Sequence, residues 1–510
     1  MSEAAAPVRL DALLTRGAPG DPALTYKDRT LTYGELADQV SRVVRGLHRL
    51  GVRRGDRVAV YAEKRLETVV ALFAAAAAGA VLVPLNPLFK ARHLAHVAAD
   101  CTPKVVFTTA ERLATVREAV PEPAPVVVFG EPAWDALTAA GPEAVPSAVI
   151  DQDPAAIMYT SGSTGGPKGV VLSHRNLLAG AASVAEYLGH TRDDVVLAAL
   201  PLSFDAGFSQ LTTAFAAGAH VVLVNYLLPK EIVRLCARHG VTALTCVPPL
   251  WLQLVTQEWP AEATTRLRYF ANTGGRMPRA TLTRLREIFP QAQPFLMYGL
   301  TEAFRSTYLD PAEADRRPGS IGKAIPNAEV LVLRPDGSPC RPGEHGELVH
   351  RGALVALGYW NDPGRTAERF RPVPGPDGLV RPEIAVWSGD TVYRDEEGFL
   401  YFVGRVDEMI KTSGYRVSPA EVEEAAYATG LVGEAAAFGV PDPALGHRIV
   451  LAVAPEGDAE AISRALAKEL PAYMLPRRIE VLPKLPRSVN GKFDRVALRE
   501  SLTAVPAVPE

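Results

Sequence analysis

Apolar and polar positions follow the spacing of helices and strands from the start of the chain. Apolar residues recur at helical spacing from Thr32 to Leu50, and Glu35 stands three residues after Thr32 as in a capping box, so a helix is predicted that Gly51 ends. Short apolar runs at 56–61 and 80–84 flank the helical pattern of 67–78. Strands that alternate with helices in this way predict a doubly wound α/β fold.

The same alternation returns in the middle of the chain and then gives way to strands. Apolar runs at 221–224, 243–247 and 269–272 predict further strands. Short strands with Gly turns beyond residue 317 predict a small β-barrel-like subdomain. Residues 408–510 predict a compact α+β module in which a helix begins at Ser418 with Pro419 at its first position. Residues 116–150, rich in proline and alanine, are expected to form a surface segment with one strand-like run at 126–129.

Composition narrows the classes of function. A chain of 510 residues with 48% hydrophobic and 22% charged residues predicts a globular protein of more than one domain. A formal net charge of -3 gives no basic surface for nucleic acid, and four widely spaced cysteines indicate neither a disulfide framework nor a zinc site. The apolar stretch 69–85 is shorter than the roughly 20 residues of a membrane helix. A cytoplasmic protein without nucleic-acid or membrane partners is therefore expected.

The stretch 159–169, Tyr-Thr-Ser-Gly-Ser-Thr-Gly-Gly-Pro-Lys-Gly, has the composition of a phosphate-binding loop. Backbone N–H groups and hydroxyls can surround a polyphosphate, and Lys168 adds a positive charge. A P-loop is excluded because Pro167 precedes this lysine and Gly169 follows it, where Gly-Lys-Ser/Thr is required. A flexible Gly/Ser linker is the alternative, but the apolar runs on both sides predict a strand entering the loop and a strand leaving it.

Together with motifs further along the chain, this loop resembles the signature of the adenylate-forming superfamily, which holds acyl-CoA synthetases, luciferases and the adenylation domains of nonribosomal peptide synthesis. The further motifs, in the family's order, are Asn272-Thr-Gly-Gly-Arg, Met297-Tyr-Gly-Leu-Thr-Glu, Trp387-Ser-Gly-Asp-Thr, Gly404-Arg-Val-Asp and Asn490-Gly-Lys. The resemblance covers nearly the whole chain. It implies that ATP activates a carboxylate as an acyl-adenylate, which a thiol then attacks.

The resemblance also implies a site for ATP and Mg²⁺. Tyr298 is expected to stack on the purine, Thr301 to bond the α-phosphate, and Glu302 to ligate Mg²⁺. Asp390 and Arg405 are expected to hold the ribose. The other expected ATP contacts are Thr160, Ser161, Gly162, Ser163, Thr164, Gly165, Lys168, Gly274, Gly275, Arg276, Gly299 and Lys492.

Two domains are implied, an adenylate-forming domain of residues 1–406 and a mobile C-terminal domain of residues 407–510, with Asp407 as the hinge. By its own context Lys492 is typical of a solvated surface lysine. The family motif instead marks it as the lysine that enters the active site for adenylation and leaves for the second step. Lys168 and Thr301 are the other expected catalytic residues.

Asp205 decides between two kinds of ligase. A carboxylate in such an apolar context is expected either to cap the following helix or to meet a cation. Adenylation domains for amino acids have Phe-Asp at this point, as in Phe204–Asp205, and the carboxylate binds the substrate's α-ammonium, whereas acyl-CoA synthetases commonly have histidine. An acyl-CoA synthetase acting on a carboxylic acid stays the alternative, supported by Val417-Ser-Pro-Ala-Glu-Val-Glu.

The substrate pocket is carried over by offset from the motifs. Its members are Asp205, Ser209, Cys246, Thr273, Met297, Arg305 and Ser306. Met297 is larger than the residue many such pockets have, and Arg305 is unusual because it either holds a polar substrate group or pairs with an acid of the protein. A small amino acid such as alanine, glycine or serine is expected. Its acceptor is expected to be the phosphopantetheine thiol of a separate carrier protein in natural-product biosynthesis, or CoA in the alternative.

Overall fold

The computed structural model describes residues 8–120, 124–139, 141, 148–161, 167–373, 382–405, 408–412, 415–442, 445–455, 457–470, 472–488 and 491–503. Two large mixed sheets with helices make up most of the chain. A smaller antiparallel sheet follows, and a fourth sheet forms the C-terminal domain. The predicted fold class, a large α/β domain followed by a small α+β domain, is confirmed.

The larger of the two mixed sheets has nine strands, and its central six are parallel. In spatial order the strands are Lys323–Ala324, Thr307–Leu309, Gln293–Tyr298, Tyr269–Asn272, Ala243–Cys246, Val195–Ala198, His220–Leu223, Pro22–Tyr26 and Arg29–Thr32. Because the carboxyl ends of parallel strands meet at one edge of a sheet, the residues that follow Ala198, Cys246, Asn272 and Tyr298 are brought together there.

The second mixed sheet has seven strands and ends in the hairpin around the predicted phosphate loop. In spatial order its strands are Gly358–Tyr359, Pro167–Ser173, Pro154–Ser161, Val81–Leu85, Arg57–Tyr61, Val105–Thr108 and Val126–Val128. The last five are parallel, and the first two pair antiparallel. The strands expected on both sides of the loop are therefore present.

Helices of the large domain share one hydrophobic core with both sheets. Leu66–Ala77 is buried at every residue except Glu67, which explains its continuous apolar sequence. The capping box of Thr32 and Glu35 is present at the start of the helix Tyr33–Arg49. The α-helices of this domain are Tyr33–Arg49, Leu66–Ala77, Ala91–Cys101, Leu113–Ala119, Pro132–Thr138, His174–Tyr187, Asp205–Ala216, Pro229–His239, Pro248–Leu254, Ala261–Thr264, Arg279–Ile288 and Pro363–Arg369. Short 3₁₀ helices are Leu10–Thr15, Ala110–Arg112, Thr301–Ala303 and Pro311–Glu313.

The β-rich part of the large domain is a five-stranded sheet with antiparallel pairing. Its strands are Ala328–Leu333, Gly346–Gly352, Glu383–Arg394, Phe370–Val373 and Leu400–Arg405. The register of the last strand on Glu383–Arg394 places Arg405 opposite Asp390. The sheet thus brings together the two residues expected at the ribose.

The C-terminal domain has its own sheet and its own cores. Its strands are Tyr415–Val417, Ile410–Thr412, Gly446–Ala454, Glu434–Asp442 and Arg478–Val481. Its helices are Pro419–Ala428, Ala459–Glu469, Arg495–Thr503 and the 3₁₀ helix Ala472–Met474. Ser418 is the N-cap and Pro419 the first helical residue, as predicted. The predicted boundary at 406 and 407 lies outside the described residues.

The segment 116–150 is more than the surface segment that was predicted. It contains the helix Pro132–Thr138, which contacts the helix Tyr33–Arg49, and Trp134 is buried against Phe107 and Phe129. Pro132 stands at the first helical position, where proline is favoured, and the packing of Trp134 holds the helix on the core. Among the described residues, the chain has no helix with the length and apolar character needed to cross a membrane.

Candidate active site

The hairpin of Pro154–Ser161 and Pro167–Ser173 positions the first predicted residues. Lys168 pairs with Thr160 across the hairpin, so its side chain starts beside the loop. The Thr160 hydroxyl is buried without a hydrogen-bond partner among the described residues. Gly162, Ser163, Thr164 and Gly165 lie outside the described residues, as does the side chain of Ser161, and their phosphate contacts stay predictions.

Lys168 contacts the predicted metal ligand directly. Its Nζ donates to Glu302 Oε1 and to the Tyr359 hydroxyl, both at 2.9 Å, and that hydroxyl donates to the same Glu302 oxygen at 2.6 Å. Burial opposes ionisation of Glu302, but the Lys168 charge and these hydrogen bonds lower the pKa of its carboxyl below the ordinary range. Glu302 is therefore held as a buried carboxylate.

Sequence reasoning missed Tyr359. The residue belongs to the two-residue strand Gly358–Tyr359, which pairs with Val170 and Val171 after the phosphate loop. That pairing links positions almost 190 residues apart in the chain. Its only local signal was a short Gly-Tyr-Trp run, which indicates a strand and says nothing about a contact with Glu302.

The expected ribose residues Asp390 and Arg405 form an ion pair, and Tyr298, expected at the purine, is hydrogen-bonded to Asp390. The Tyr298 hydroxyl donates to Asp390 Oδ2 at 2.5 Å, and Arg405 Nε lies 3.5 Å from Asp390 Oδ1. Burial raises the pKa of the Asp390 carboxyl, which Arg405 and Tyr298 counteract. The pKa of the Tyr298 phenol is raised by burial and by the neighbouring Asp390 charge.

The Gly turn after Asn272 leaves room for the C-terminal domain. Gly274 has φ +76°, and a Cβ at this position would lie 3.3 Å from Lys492 Cε. The Asn272 side chain donates to the Gly275 carbonyl at 2.8 Å and fixes the turn. Arg276 follows and lies 3.8 Å from Glu424 of the C-terminal domain.

Lys492 reaches into the cleft of the large domain. It follows Gly491, a turn residue with φ +79°, and its Nζ lies 5.7 Å from the centre of the Phe204 ring. The residue is partly exposed, while surrounding protein atoms lower the pKa of its ammonium, which Asp205 and Asp390 counteract. Lys492 thus lies beside Phe204 and Gly274, and its role in adenylation stays a prediction. Asp407, the predicted hinge, lies outside the described residues.

Asp205 is the first residue of the helix Asp205–Ala216, and the N-cap position before it is Phe204, which makes no capping hydrogen bond. The Asp205 side chain is 4% exposed and accepts a hydrogen bond from the Thr301 hydroxyl at 3.3 Å. Burial raises the pKa of its carboxyl, while Arg305, Lys492 and the bond from Thr301 counteract the shift. Among the described residues, no cationic nitrogen lies within 4.0 Å of this carboxylate.

Arg305 lies in the same pocket. Its Nη1 donates to the Thr273 hydroxyl at 2.7 Å, and the side chain is 3% exposed. Met297 is also buried, and its sulfur accepts a hydrogen bond from the Tyr187 hydroxyl at 2.9 Å. Gly299 packs closely against Arg305, because a Cβ there would lie 3.0 Å from Arg305 Cα, which is a tight contact.

The remaining predicted pocket residues are buried and already have contacts within the protein. Ser209 lies one turn after Asp205, and its hydroxyl is 3.3 Å from that of Thr213. The Ser306 hydroxyl is 2.9 Å from Nδ1 of the buried His350. Cys246 ends its strand inside a hydrophobic core. Their roles toward a substrate stay predictions.

Comparisons with known proteins agree with this geometry. The family model described as AMP-binding enzyme matches residues 14–360, and the model described as AMP-binding enzyme C-terminal domain matches residues 421–492. The crystal structure of ATP-bound MatB from Rhodopseudomonas palustris is similar at a TM-score of 0.88 and 28% identity, over 97% of this chain and 99% of that one.

Two curated relatives are similar to this chain over nearly all of its length. Indoleacetate–CoA ligase of Aromatoleum aromaticum is 31% identical over 500 residues, covering 94% of this chain and 95% of that protein. Delta-poly-L-ornithine synthetase of Acinetobacter baumannii is 32% identical over 498 residues, covering 96% of this chain but 36% of that longer protein. The chain belongs to the AMP-binding enzyme family and is an AMP-forming acid–thiol ligase of the adenylate-forming superfamily.

Proposed function

We propose that this ligase activates a small amino acid as its aminoacyl-adenylate and transfers it to the phosphopantetheine thiol of a separate carrier protein. The observation that carries the proposal is the buried Asp205 carboxylate, which has no cationic nitrogen within 4.0 Å among the described residues. A buried carboxylate is costly without a close cation, and the ammonium of an amino acid supplies one. An acid that lacks the amine leaves Asp205 unpaired.

In the first half-reaction, a carboxylate oxygen of the substrate attacks the α-phosphorus of ATP. The bond from this phosphorus to the pyrophosphate oxygen breaks, and aminoacyl-adenylate and pyrophosphate are formed. Lys168 and Lys492 place two ammonium groups in the cleft, where they offset the negative charge that develops on the phosphates. The step needs no protein nucleophile, so positioning and electrostatics supply the catalysis.

Mg²⁺ fits this site as an ion that accompanies ATP. Proteins hold Mg²⁺ through one or two carboxylates together with substrate phosphates, and Glu302 supplies one buried carboxylate that is kept ionised. Among the described residues, no group of three His, Cys, Asp or Glu side chains is placed to hold a metal. Bound there, the ion would neutralise phosphate charge.

In the second half-reaction, the thiol sulfur attacks the carbonyl carbon, and the bond from that carbon to the AMP oxygen breaks. AMP leaves, the thiol proton passes to solvent, and a thioester remains. Lys492 occupies the cleft next to Gly274 in this arrangement of the domains. We therefore propose that the C-terminal domain, residues 407–510, rotates about Asp407 before the thiol enters.

The second candidate is an acyl-CoA synthetase acting on a carboxylic acid. It is favoured by the full-length match to a relative named indoleacetate–CoA ligase. The amino-acid proposal is favoured by Asp205 and by the match to Delta-poly-L-ornithine synthetase, a name that contains an amino acid. Both candidates share the first half-reaction, so the substrate and the thiol distinguish them.

ATP–pyrophosphate exchange with a panel of amino acids and their deaminated analogues tests the proposal. We expect the purified enzyme to favour an amino acid over its deaminated analogue by about 10²-fold or more in kcat/KM, because the analogue leaves a buried charge unpaired. Asp205→Asn is expected to reduce this ratio strongly by lowering activity with the amino acid. Thioester formation is then measured with a carrier protein bearing phosphopantetheine and with CoA.

Asp193→Asn is the matched control, because Asp193 is an exposed aspartate that belongs to none of the motifs. It should leave the ratio unchanged. Preference of the unmodified enzyme for the deaminated acid, or an unchanged ratio in Asp205→Asn, would support the acyl-CoA synthetase instead.

A further inference from the structure

Arg305 is a buried cation that the protein neutralises only in part. A guanidinium has five N–H donors, yet toward the described residues the Arg305 side chain donates one hydrogen bond, from Nη1 to the Thr273 hydroxyl. Its Nε is buried without a partner among the described residues, and none of their carboxylates lies within 4.0 Å. Because burying an unpaired charge is costly, a fold that keeps one here is expected to meet its partner in a ligand.

The backbone holds Arg305 in place at the cost of strain. Phe304 has φ +57° and ψ −55°, and the Arg305 N–H donates to the Ala303 carbonyl at 2.5 Å. This is a γ-turn with positive φ at its centre, which is rare and strained for a residue with a side chain. Such strain persists only where the surroundings determine it, and it occurs preferentially at functional sites.

Packing explains how the turn is held. The Phe304 ring is fully buried and lies over Gly180, where a Cβ would come within 2.6 Å of it. On the other side, a Cβ at Gly299 would lie 3.0 Å from Arg305 Cα. The turn therefore fits between two glycines, and the guanidinium is directed toward Thr273 in the substrate pocket.

The pocket thus contains one buried anion and one buried cation that are not paired at contact distance. Asp205 and Arg305 interact electrostatically, but no nitrogen of one lies within 4.0 Å of an oxygen of the other. Tyr187 is close enough to interact electrostatically with Arg305, and its hydroxyl donates a hydrogen bond to the Met297 sulfur. A compact molecule with an ammonium for Asp205 and an anionic group for Arg305 complements both charges.

We infer that the substrate is a short amino dicarboxylic acid such as aspartate, in which one carboxylate is adenylated and the other binds Arg305. The inference rests on the proposed function for the role of the amine. Where the sequence predicts alanine, glycine or serine, this inference gives a substrate of similar length that has a second acidic group. A guanidinium suits this role because its planar N–H groups bind a carboxylate in two parallel hydrogen bonds.

A set of five acids separates the two charges. Aspartate carries both groups, alanine and β-alanine each lack one of its carboxylates, succinate lacks the amine, and glutamate is one methylene longer. Their ATP–pyrophosphate exchange is measured as kcat/KM in the native enzyme, Arg305→Met, Arg305→Lys and the exposed control Arg284→Met. We expect the native enzyme and the control to favour aspartate over alanine and β-alanine by about 10²-fold or more.

Arg305→Met is expected to lose most of that preference, and Arg305→Lys to retain part of it because its charge remains. Equal use of aspartate, alanine and β-alanine by the native enzyme, or a preference that Arg305→Met leaves intact, would overturn the inference. Use of succinate as well as aspartate would contradict the proposal that the substrate is an amino acid, but it would still agree with a second carboxylate that binds Arg305. Failure of the proposed function can therefore be distinguished from failure of this inference.

Thermal unfolding without substrate provides a readout that does not depend on choosing the right acid. If Arg305 awaits an anion, Arg305→Met removes a poorly paired buried charge, and its unfolding midpoint should equal or exceed that of the native enzyme. Excess aspartate should raise the midpoint of the native enzyme but not of Arg305→Met. A clear loss of stability in Arg305→Met, or equal shifts with aspartate, would identify Arg305 as a structural residue and overturn the inference.

Discussion

Two buried aspartates of the cleft, Asp390 and Asp205, differ in what the protein supplies to them. Asp390 accepts a hydrogen bond from Tyr298 at 2.5 Å and has Arg405 at 3.5 Å. Asp205 has the longer contact with Thr301, 3.3 Å, and no cationic nitrogen of the described residues within 4.0 Å. Burial raises the pKa of both carboxyls, so the difference lies in their partners and not in their depth.

The contrast matches what each part of the cleft is expected to bind. Every turnover uses the same nucleotide, so its site can be built in advance from protein groups, which saves reorganisation during the reaction. The acid has to be selected from many similar acids. Charges left for the substrate to complete give strong selection, because a wrong acid leaves them unpaired. Substitutions near Asp390 should therefore affect all acids alike, and those near Asp205 should affect them unequally.

The largest effect is expected from Lys492→Ala, since this ammonium interacts with both aspartates. Adenylation should fall by about 10²-fold or more with every acid, because one preorganised charge contact is lost. Thioester formation from supplied acyl-adenylate should be retained. Single-turnover measurements of both half-reactions check this, with the exposed Lys484→Ala as control. Equal loss in both halves would refute a role confined to adenylation.

Asp390→Asn should act on the nucleotide alone. Losing the charge weakens the group formed with Tyr298 and Arg405, so kcat/KM for ATP should fall by about 10- to 10²-fold, the range for a hydrogen bond to a charged group. The order of preference among acids should not change. Steady-state kinetics at saturating acid measure this, with the exposed Asp336→Asn as control. A changed order of acids would show that the two sites are not separate.

Much of the fold was predictable because its signals are local. The capping box at Thr32, the strands around 159–169 and the helix start at Ser418 each depend on a few adjacent residues, and each is present. The helix Pro132–Thr138 was missed because it is stabilised by the burial of Trp134 against distant parts of the chain.

In the candidate site, too, residues in local motifs were predicted, whereas contacts between distant parts of the chain were not. Motif residues such as Tyr298 and Lys492 lie together in the cleft. Tyr359 could not be predicted, because its contact with Glu302 depends on strand pairing across the chain. Whether Arg305 has an acidic partner is a question of distances, which no sequence motif encodes.

A smaller effect is expected in the pH dependence of adenylation. The surrounding protein atoms, which desolvate the ammonium, lower the pKa of Lys492 below its ordinary value of 10.5. The ammonium is needed for adenylation, so kcat/KM for ATP should decline as pH rises through this lowered pKa. In Lys492→Arg the decline should disappear, because a guanidinium stays protonated throughout the range. Exchange rates between pH 6.5 and 10 measure this, and the same basic decline in both proteins would assign it to another group.

The smallest effect is expected from Lys64→Met, which acts on the support of the acid pocket. Lys64 Nζ donates to the carbonyls of Ala198, Ala199 and Leu200 at 2.8, 2.9 and 3.1 Å, and the loop that begins there leads to Asp205. Methionine is similar in length but has no donor, so these acceptors lose their partner. We expect a destabilisation of about 1–3 kcal/mol and a modest rise in KM for the acid, with KM for ATP unchanged.

The pH dependence of this loss of stability shows whether the Lys64 ammonium causes it. Burial lowers the pKa of Lys64 to about 7, whereas the unfolded chain holds the proton up to about 10.5. The unfolded state therefore binds more protons between these values, so the stability that Lys64 contributes is present at high pH, declines as pH falls from about 10.5 to about 7, and levels off below that. The difference in unfolding midpoint between the native enzyme and Lys64→Met should accordingly narrow from pH 9 to pH 6. Lys104→Met, at an exposed position, should show no such difference, and a gap that widens toward pH 6 would contradict the assignment to Lys64.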